Sequence, residues 1–425
     1  MSQYRAYPAY RDSGVEWIGQ VPEHWKVARV KRLASLRNER RNDVSTDTIY
    51  IGLEDVEAGS GQYKPTNGSS RQSEDSTVGI FYEGDVLYGK LRPYLQKAII
   101  SEMAGCCSTE FLVLRAEKTE PRWLQELLLT PDVTHQIESG CEGAKMPRAD
   151  WWHIGSIEVV YPDQPEQAQI LTTLDQETAC INALIERKTC FIELLKEKRQ
   201  ALITHAVTKG LDPNAKMKDS GVEWIGQVPE HWDVKPFFAL VTELNRKNVG
   251  LAETNILSLS YGNIIQKPET RNMGLTPESY ETYQIVESGE IVFRFTDLQN
   301  DKRSLRSAQV TQRGIITSAY MAVKPHSIDS TYFAWLMRSY DLCKVFYAMG
   351  GGLRQSLKFE DVRRLPVLIP PVDEQSEITN TINAGTARID ALVEKTEQSI
   401  TLLKERRAAF ITAAVTGQID LRGKQ

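Results

Sequence analysis

The chain is 425 residues long, 41% hydrophobic and 25% charged, enough to bury at least two cores and unlike a disordered segment. A formal net charge of −5 argues against a protein that coats nucleic acid by bulk charge, so local basic runs must decide. No run approaches the ~18 apolar residues of a membrane span, and Met1–Arg11 lacks the apolar stretch of a signal peptide; the expected location is cytoplasmic. The 6 cysteines include no C-x-x-C pair, which points to buried or free thiols rather than a disulfide framework.

In chain order, Asp12–Trp25 (DSGVEWIGQVPEHW) comes first, and it returns without a change as Asp219–Trp232. Glu166-Gln167 likewise returns as Glu374-Gln375, and Leu194–Glu197 as Leu402–Glu405. A period this long is that of a domain with an appendage, so the chain reads as a tandem duplication with two similar halves about an approximate two-fold axis. Trp17, Trp25, Trp224 and Trp232 stay fixed while the halves differ elsewhere, which favours a structural or partner-facing role over base contact. His24 and His231 lack neighbours at metal-ligand spacing.

Short β-prone runs follow: Ile49–Leu53, Val86–Tyr88, Phe111–Leu114 and Ile157–Val160, separated by Gly, Ser, Asn and Pro. The second half answers with Ile256–Leu259, Ile291–Phe293, Tyr320–Val323 and Pro366–Ile369. Helical stretches are expected near Trp123–Leu129 and Tyr332–Arg338. Between these landmarks Tyr63–Ser101 and Ile264–Ser307 diverge, and divergent loops on a shared scaffold carry recognition.

Two long helices are predicted, Glu166–Thr208 and Glu374–Thr416, both poor in Pro and Gly apart from Gly385. A seven-residue comb selects Leu174, Ile181, Lys188, Leu195 and Leu202 in the first and Ile382, Ile389, Thr396, Leu403 and Phe410 in the second. A second comb, Ile185 and Ile192 with Val393 and Ile400, widens the apolar stripe. Gly210–Asn214 breaks the first helix.

The repeated DSGVEWIGQVPEHW motif, the Gly84–Tyr94 segment (GDVLYGKLRPY) and the Asp163–Gln167 and Pro371–Gln375 helix starts resemble the specificity subunits of Type I restriction-modification enzymes, over the whole chain. The resemblance implies an α+β fold with two pseudo-symmetric target-recognition domains joined by two long helices that pair as an antiparallel coiled coil. The expected boundaries are 1–161 and 212–370 for the recognition domains, with 162–211 and 371–425 for the helices and tail. It implies a sequence-specific DNA-binding subunit, not an enzyme. Each domain would read one half of a bipartite asymmetric site in double-stranded DNA, and the helices would dock methyltransferase (modification) subunits, two of them expected, and set the spacer. Restriction/translocase subunits would complete the complex. S-adenosylmethionine, ATP and Mg would reside on those partners, with no cofactor in this chain.

The residues agree with that division. No Gly-x-x-x-x-Gly-Lys-Ser/Thr loop cradles a phosphate, and no Asn/Asp-Pro-Pro-Tyr tetrapeptide holds an exocyclic amine. Pro162-Asp163 with Glu186 and Lys188 has the order of a metal-dependent nuclease site, the enzyme alternative. Thr396 stands opposite Lys188 in the duplication, so the constellation is not repeated. A coiled-coil scaffold for protein partners is the other alternative.

Candidate DNA contacts are Arg37, Arg40 and Arg41, from a basic run that also holds Arg29, Lys31 and Arg32 against the single acid Glu39. A solvated surface is the competing explanation for that run. Lys90, Arg92 and Tyr94 lie in the segment that carries the resemblance; Lys145 and Arg148 follow a Gly-containing turn. In the second half the candidates are Arg294, Lys302, Arg303 and Arg306, together with Arg354 after Gly350–Gly352. Gln299, Asn300 and Gln355 suit adenine and Arg303 suits guanine, because these side chains form paired hydrogen bonds to base edges.

Overall fold

The computed structural model describes residues 4–45, 47–59, 61–65, 76–141, 143, 145–267, 279–298, 305–349 and 356–422. The chain divides into two compact units, Met1–Lys188 with Gln398–Gln425, and Thr189–Glu397. Each unit contains part of both long helices, Gln164–Lys209 and Val372–Val415.

In the first unit, strands Ala34–Leu36, Phe111–Ala116, Val86–Gly89 and Ala98–Ile100 form an antiparallel four-stranded sheet in that order. Val86, Leu114 and Ala98 are fully buried beneath the helices Pro121–Leu128 and Pro131–Ser139, in a core with Leu124 and Ile137. Such a β-branched and leucine-rich set is what a sheet covered by helices requires. A second sheet orders Arg40–Arg41, Val78–Phe81, Gly105–Cys107 and Tyr50–Ile51, the last pairing parallel. Lys26–Arg29 pairs antiparallel with Glu158–Tyr161 and leads the chain to the first long helix.

The second unit repeats the frame. Val241–Leu244, Met321–Pro325, Ile291–Phe293 and Ser307–Gln309 form the equivalent four-stranded sheet, and Asp233–Pro236 pairs with Pro366–Ile369. Where the first unit places a short turn at Leu53–Asp55, the second builds a hairpin from Leu257–Ser260 and Asn263–Gln266. The eight β-prone runs and both short helical stretches expected from sequence coincide with observed elements to within a few residues.

All twelve apolar comb positions are buried or half-buried. In the first unit Leu174, Ile181 and Phe410 are buried, Ile185, Ile400 and Leu403 half-buried, and Arg407 Nη1 donates to Asn182 Oδ1 at 2.8 Å. In the second, Ile192, Leu195, Ile382 and Ile389 are buried, with Leu202 and Val393 half-buried. There Arg199 Nε meets Asp390 Oδ1 at 3.0 Å, while Leu202 lies against Gly385, so numbers rise along one helix as they fall along the other. A Cβ on Gly385 would run into a Leu202 methyl, which explains the glycine inside the second long helix. Each buried Leu or Ile contributes roughly 1.5–3 kcal/mol of apolar transfer.

The nuclease-like order does not form a site. Asp163 Oδ1 accepts from the Glu166 N–H at 3.0 Å and caps the first long helix, whereas Glu186 lies along the same helix, roughly 30 Å farther at ~1.5 Å per residue. A straight helix cannot bring these two carboxylates to one metal ion. Among the described residues no group of three or more His, Cys, Asp and Glu could hold a metal, and no helix is long and apolar enough to cross a membrane. Burial pushes the Cys107 thiol up to about 12.

Candidate nucleic-acid interface

The two repeated motifs meet each other. In the first unit Glu166 is buried and receives Tyr7 Oη at 3.0 Å, Trp25 Nε1 at 3.2 Å and His24 Nε2 at 2.7 Å. In the second, Glu374 takes Trp232 Nε1 at 3.0 Å and His231 Nε2 at 2.8 Å. The neighbouring glutamine does the same work twice. Gln167 Oε1 accepts from the Glu120 N–H at 3.0 Å and Gln375 Oε1 from the Asp329 N–H at 2.8 Å, each at the N-cap of a helix covering the sheet. Their Nε2 atoms donate to the carbonyls of Pro162 and Pro370. The fixed repeat thus ties each globular segment to the start of its long helix, with Trp25 and Trp232 in the cores. Sequence reasoning assigned Glu166 and Gln167 no partner, although the joint repetition of Glu-Gln and His-Trp was the signal.

A second duplicated device holds a sharp turn. Asp85 is buried, accepts from the Tyr82 N–H at 2.9 Å and binds Arg37 through Nε at 2.8 Å and Nη2 at 3.2 Å. Glu290 accepts from the Glu287 N–H at 2.8 Å and pairs with Arg246. Beyond the strands that follow, Val86–Gly89 and Ile291–Phe293, the chain passes through residues held at positive φ: Arg92 at 53° and Asp297 at 57°. A non-glycine residue there is strained, and surroundings that over-determine such a conformation are common at binding sites. The same backbone therefore carries Lys90, Leu91 and Arg92 in one unit and Phe295, Thr296 and Asp297 in the other, where Phe295 is buried in the core and Asp297 is exposed.

In the first unit this turn lies beside a second candidate segment. Arg92 N–H donates to the Pro147 carbonyl at 2.8 Å, Ala149 N–H donates to the Lys90 carbonyl at 2.9 Å, and Leu91 bridges Arg148. Lys90, Arg92 and Arg148 are thereby brought side by side, with Tyr94 and Lys145 in the same two segments; Arg92, Lys145 and Arg148 are exposed and Tyr94 is half-exposed. Arg148 pairs with Glu110 at 3.1 Å. Arg40 and Arg41 form an exposed short edge strand, with Arg41 paired to Glu39 at 2.7 Å, a contact that raises its guanidinium above the ordinary value. In the second unit the matching apposition is Leu357 N–H to the Phe295 carbonyl at 3.1 Å.

Two candidates occupy structural positions. Arg37 is committed to Asp85 and lies over the Tyr82 ring at 4.6 Å, and the Arg246–Glu290 counterpart marks the pair as part of the frame. Arg306 is fully buried; Nη1 donates to the Thr296 carbonyl at 3.0 Å, Nη2 to that of Asp297 at 3.3 Å and Nε to Tyr347 Oη at 3.2 Å. It props the strained turn from inside and does not face solvent. Arg294 is half-buried. Gln299, Asn300, Lys302, Arg303, Arg354 and Gln355 lie outside the described residues.

No protein-family model matches the sequence. The chain is 21% identical over 205 residues to the Type I restriction enzyme EcoDI specificity subunit of Escherichia coli, an alignment that spans 47% of this chain and about half, 46%, of that subunit. It is 20% identical over 430 residues to a protein named as the MjaX type I restriction enzyme specificity subunit of Methanocaldococcus jannaschii, spanning 95% of this chain and 96% of the relative. A chain of a solved type I restriction-modification assembly shares the fold with a TM-score of 0.65 at 16% identity, covering 93% of this chain and 98% of its own. The HsdS subunit from Thermoanaerobacter tengcongensis matches with a TM-score of 0.50 at 16% identity, covering 94% and 98%. By motif, sequence and fold, the chain is similar to the specificity subunits of Type I restriction enzymes.

Proposed function

We propose that the chain reads DNA for a Type I restriction-modification complex and catalyses no reaction itself. Its two globular segments, 1–161 and 212–370, each recognise one half of a bipartite asymmetric duplex site. The observation that carries this reading is the duplicated turn: one frame, built on Arg37–Asp85 and Arg246–Glu290, displays different side chains in the two units. Phosphate and base contacts in the first unit come from Arg40, Arg41, Lys90, Arg92, Tyr94, Lys145 and Arg148. In the second they come from Arg294 and the segments holding Gln299, Asn300, Lys302, Arg303, Arg354 and Gln355.

The long helices pair as an antiparallel coiled coil that fixes the spacer and docks two methyltransferase subunits. Leu184 and Leu402 in the first unit, and Phe191, Leu194 and Leu392 in the second, support docking, because these large apolar side chains on the helices are 39% to 64% exposed. S-adenosylmethionine, ATP and Mg act on the modification and restriction partners.

Exchange of 63–101 for the equivalent stretch of a relative tests the partition. Site selection by the chain assembled with its methyltransferase, from a random duplex library at stated salt, is expected to change one half-site and keep the other. A change in both halves, or in neither, refutes independent reading, and a chain that selects no duplex while binding the methyltransferase returns it to the scaffold class.

A further inference from the structure

Each unit has an exposed aromatic ring with a cation over it at the same place in the frame, built from opposite partners. In the first unit the place is formed by the turn Val30–Arg32 and the helix Trp151–Ser156, joined by the Val30 N–H to the Ile157 carbonyl at 2.9 Å. In the second it is formed by Phe237–Ala239 and Phe359–Val362, joined by the Phe237 N–H to the Leu365 carbonyl at 2.9 Å. The ring in the first unit is Trp152, on the helix, and the cation is Lys31 of the turn, 5.8 Å from the ring centroid. In the second unit the ring is Phe238 of the turn, and the cation is Arg363 just past the helix, 5.5 Å away. Trp152 is 86% exposed and Phe238 47%. Arg32 and Arg364 add exposed charge beside them.

An indole this open to water is a surface built for contact, since large aromatics are ordinarily sequestered. Keeping an aromatic–cation pair while exchanging which element supplies each half indicates that the pair itself is what both units use. It also adjoins the reading turn: Ala149, bonded to the Lys90 carbonyl, lies three residues before Trp152, and Leu357, bonded to the Phe295 carbonyl, six before Arg363. The turn differs between units, whereas this patch keeps its chemistry. A partner feature common to both half-sites is the sugar-phosphate backbone, which is identical whatever the bases.

Resting on the DNA-reading function above, we propose that Trp152 with Lys31, and Phe238 with Arg363, are paired grips on the duplex backbone flanking each half-site: the ring packs on deoxyribose and the cation meets phosphate. The carboxylates nearby do not cancel the charge. Glu158 is 3.9 Å from Arg29, and Glu360 holds Arg363 at 2.9 Å in an exposed pair that a phosphate can replace.

The test uses the full chain assembled with its methyltransferase, a duplex selected by the parental protein and an unrelated duplex of equal length. Trp152→Ala and Phe238→Ala are each expected to weaken binding to both duplexes by the same factor, roughly three- to tenfold, with the selected site unchanged. Trp152→Phe is expected to recover most of the loss. Lys31→Ala and Arg363→Ala are each expected to flatten the slope of log affinity against log salt by ~0.9. Unchanged affinity for both duplexes, a loss confined to the selected duplex, or a loss of methyltransferase association with DNA binding intact would each overturn the grip; the last would make the patch a protein-docking surface. A parental chain that prefers no duplex would instead refute the reading function beneath it.

Discussion

Glu166 and Glu374 begin equivalent helices, yet their surroundings differ. The Glu166 side chain is 8% exposed with three hydrogen-bonding side chains and the Arg422 guanidinium, at 3.6 Å, around it, and that of Glu374 is 22% exposed with two. Removing an acceptor from buried donors costs more than the net worth of the bonds, because the donors remain desolvated. Glu166→Ala is therefore expected to destabilise its unit by about 2–4 kcal/mol and Glu374→Ala by about 1–2 kcal/mol. Hydrogen exchange resolved to 4–25 and 219–232 measures the two separately. Arg422 adds to the first cluster, stacking over Tyr7 at 4.7 Å and pairing with Asp420 at 2.8 Å, which holds the Asp420 carboxyl below the ordinary carboxylate range. A depressed carboxylate stabilises above its unfolded value of ~3.9 and loses that contribution as pH falls through the lower folded value. Protection of 416–422 should persist to about pH 4 and fall below it, and Arg422→Gln should move the loss upward. Arg37 and Arg306 show what residue counting misses: a basic side chain reads alike in a sequence whether it faces solvent, a buried carboxylate or a ring of carbonyls.

At the scale of elements, the long helices were the most legible, because the seven-residue period survives over many turns and outweighs local noise. The eight short strands could be read from β-branched runs, but Arg40–Arg41 carried no strand signal, being a two-residue edge whose pairing comes from Val78–Gly79. Gly385 read as an intruder in a helix; its reason lies in the other helix, at Leu202. If helix length sets the spacer, four residues inserted beside Lys188 add about one turn, ~6 Å at ~1.5 Å per residue. Against ~3.4 Å per base pair that is a shift of one or two pairs in the gap, with both half-sites kept. Site selection with the insertion variant measures it. An altered half-site with the original gap would sink the ruler, and binding of the methyltransferase to the variant controls for a damaged docking surface.

For the whole molecule, duplication was plain in the sequence, and so was the likeness that led to the family. What holds each unit was not, because contacts between the two fixed motifs span about 140 residues and repeat as a set rather than as a local pattern. The proposed reading surface was legible in part: Lys90 with Arg92, and separately Lys145 with Arg148, could be picked out, but only folding shows that 90–92 and 147–149 lie side by side. The locks at Glu166 and Glu374 bear on how such a protein changes through time. The residues that fasten each globular segment to its helix are separate from those on the turn, so substitutions on the turn leave the fastening intact. If the turns read DNA as proposed, selectivity can drift at nearly constant stability, and lineages can explore new targets without passing through unfolded intermediates.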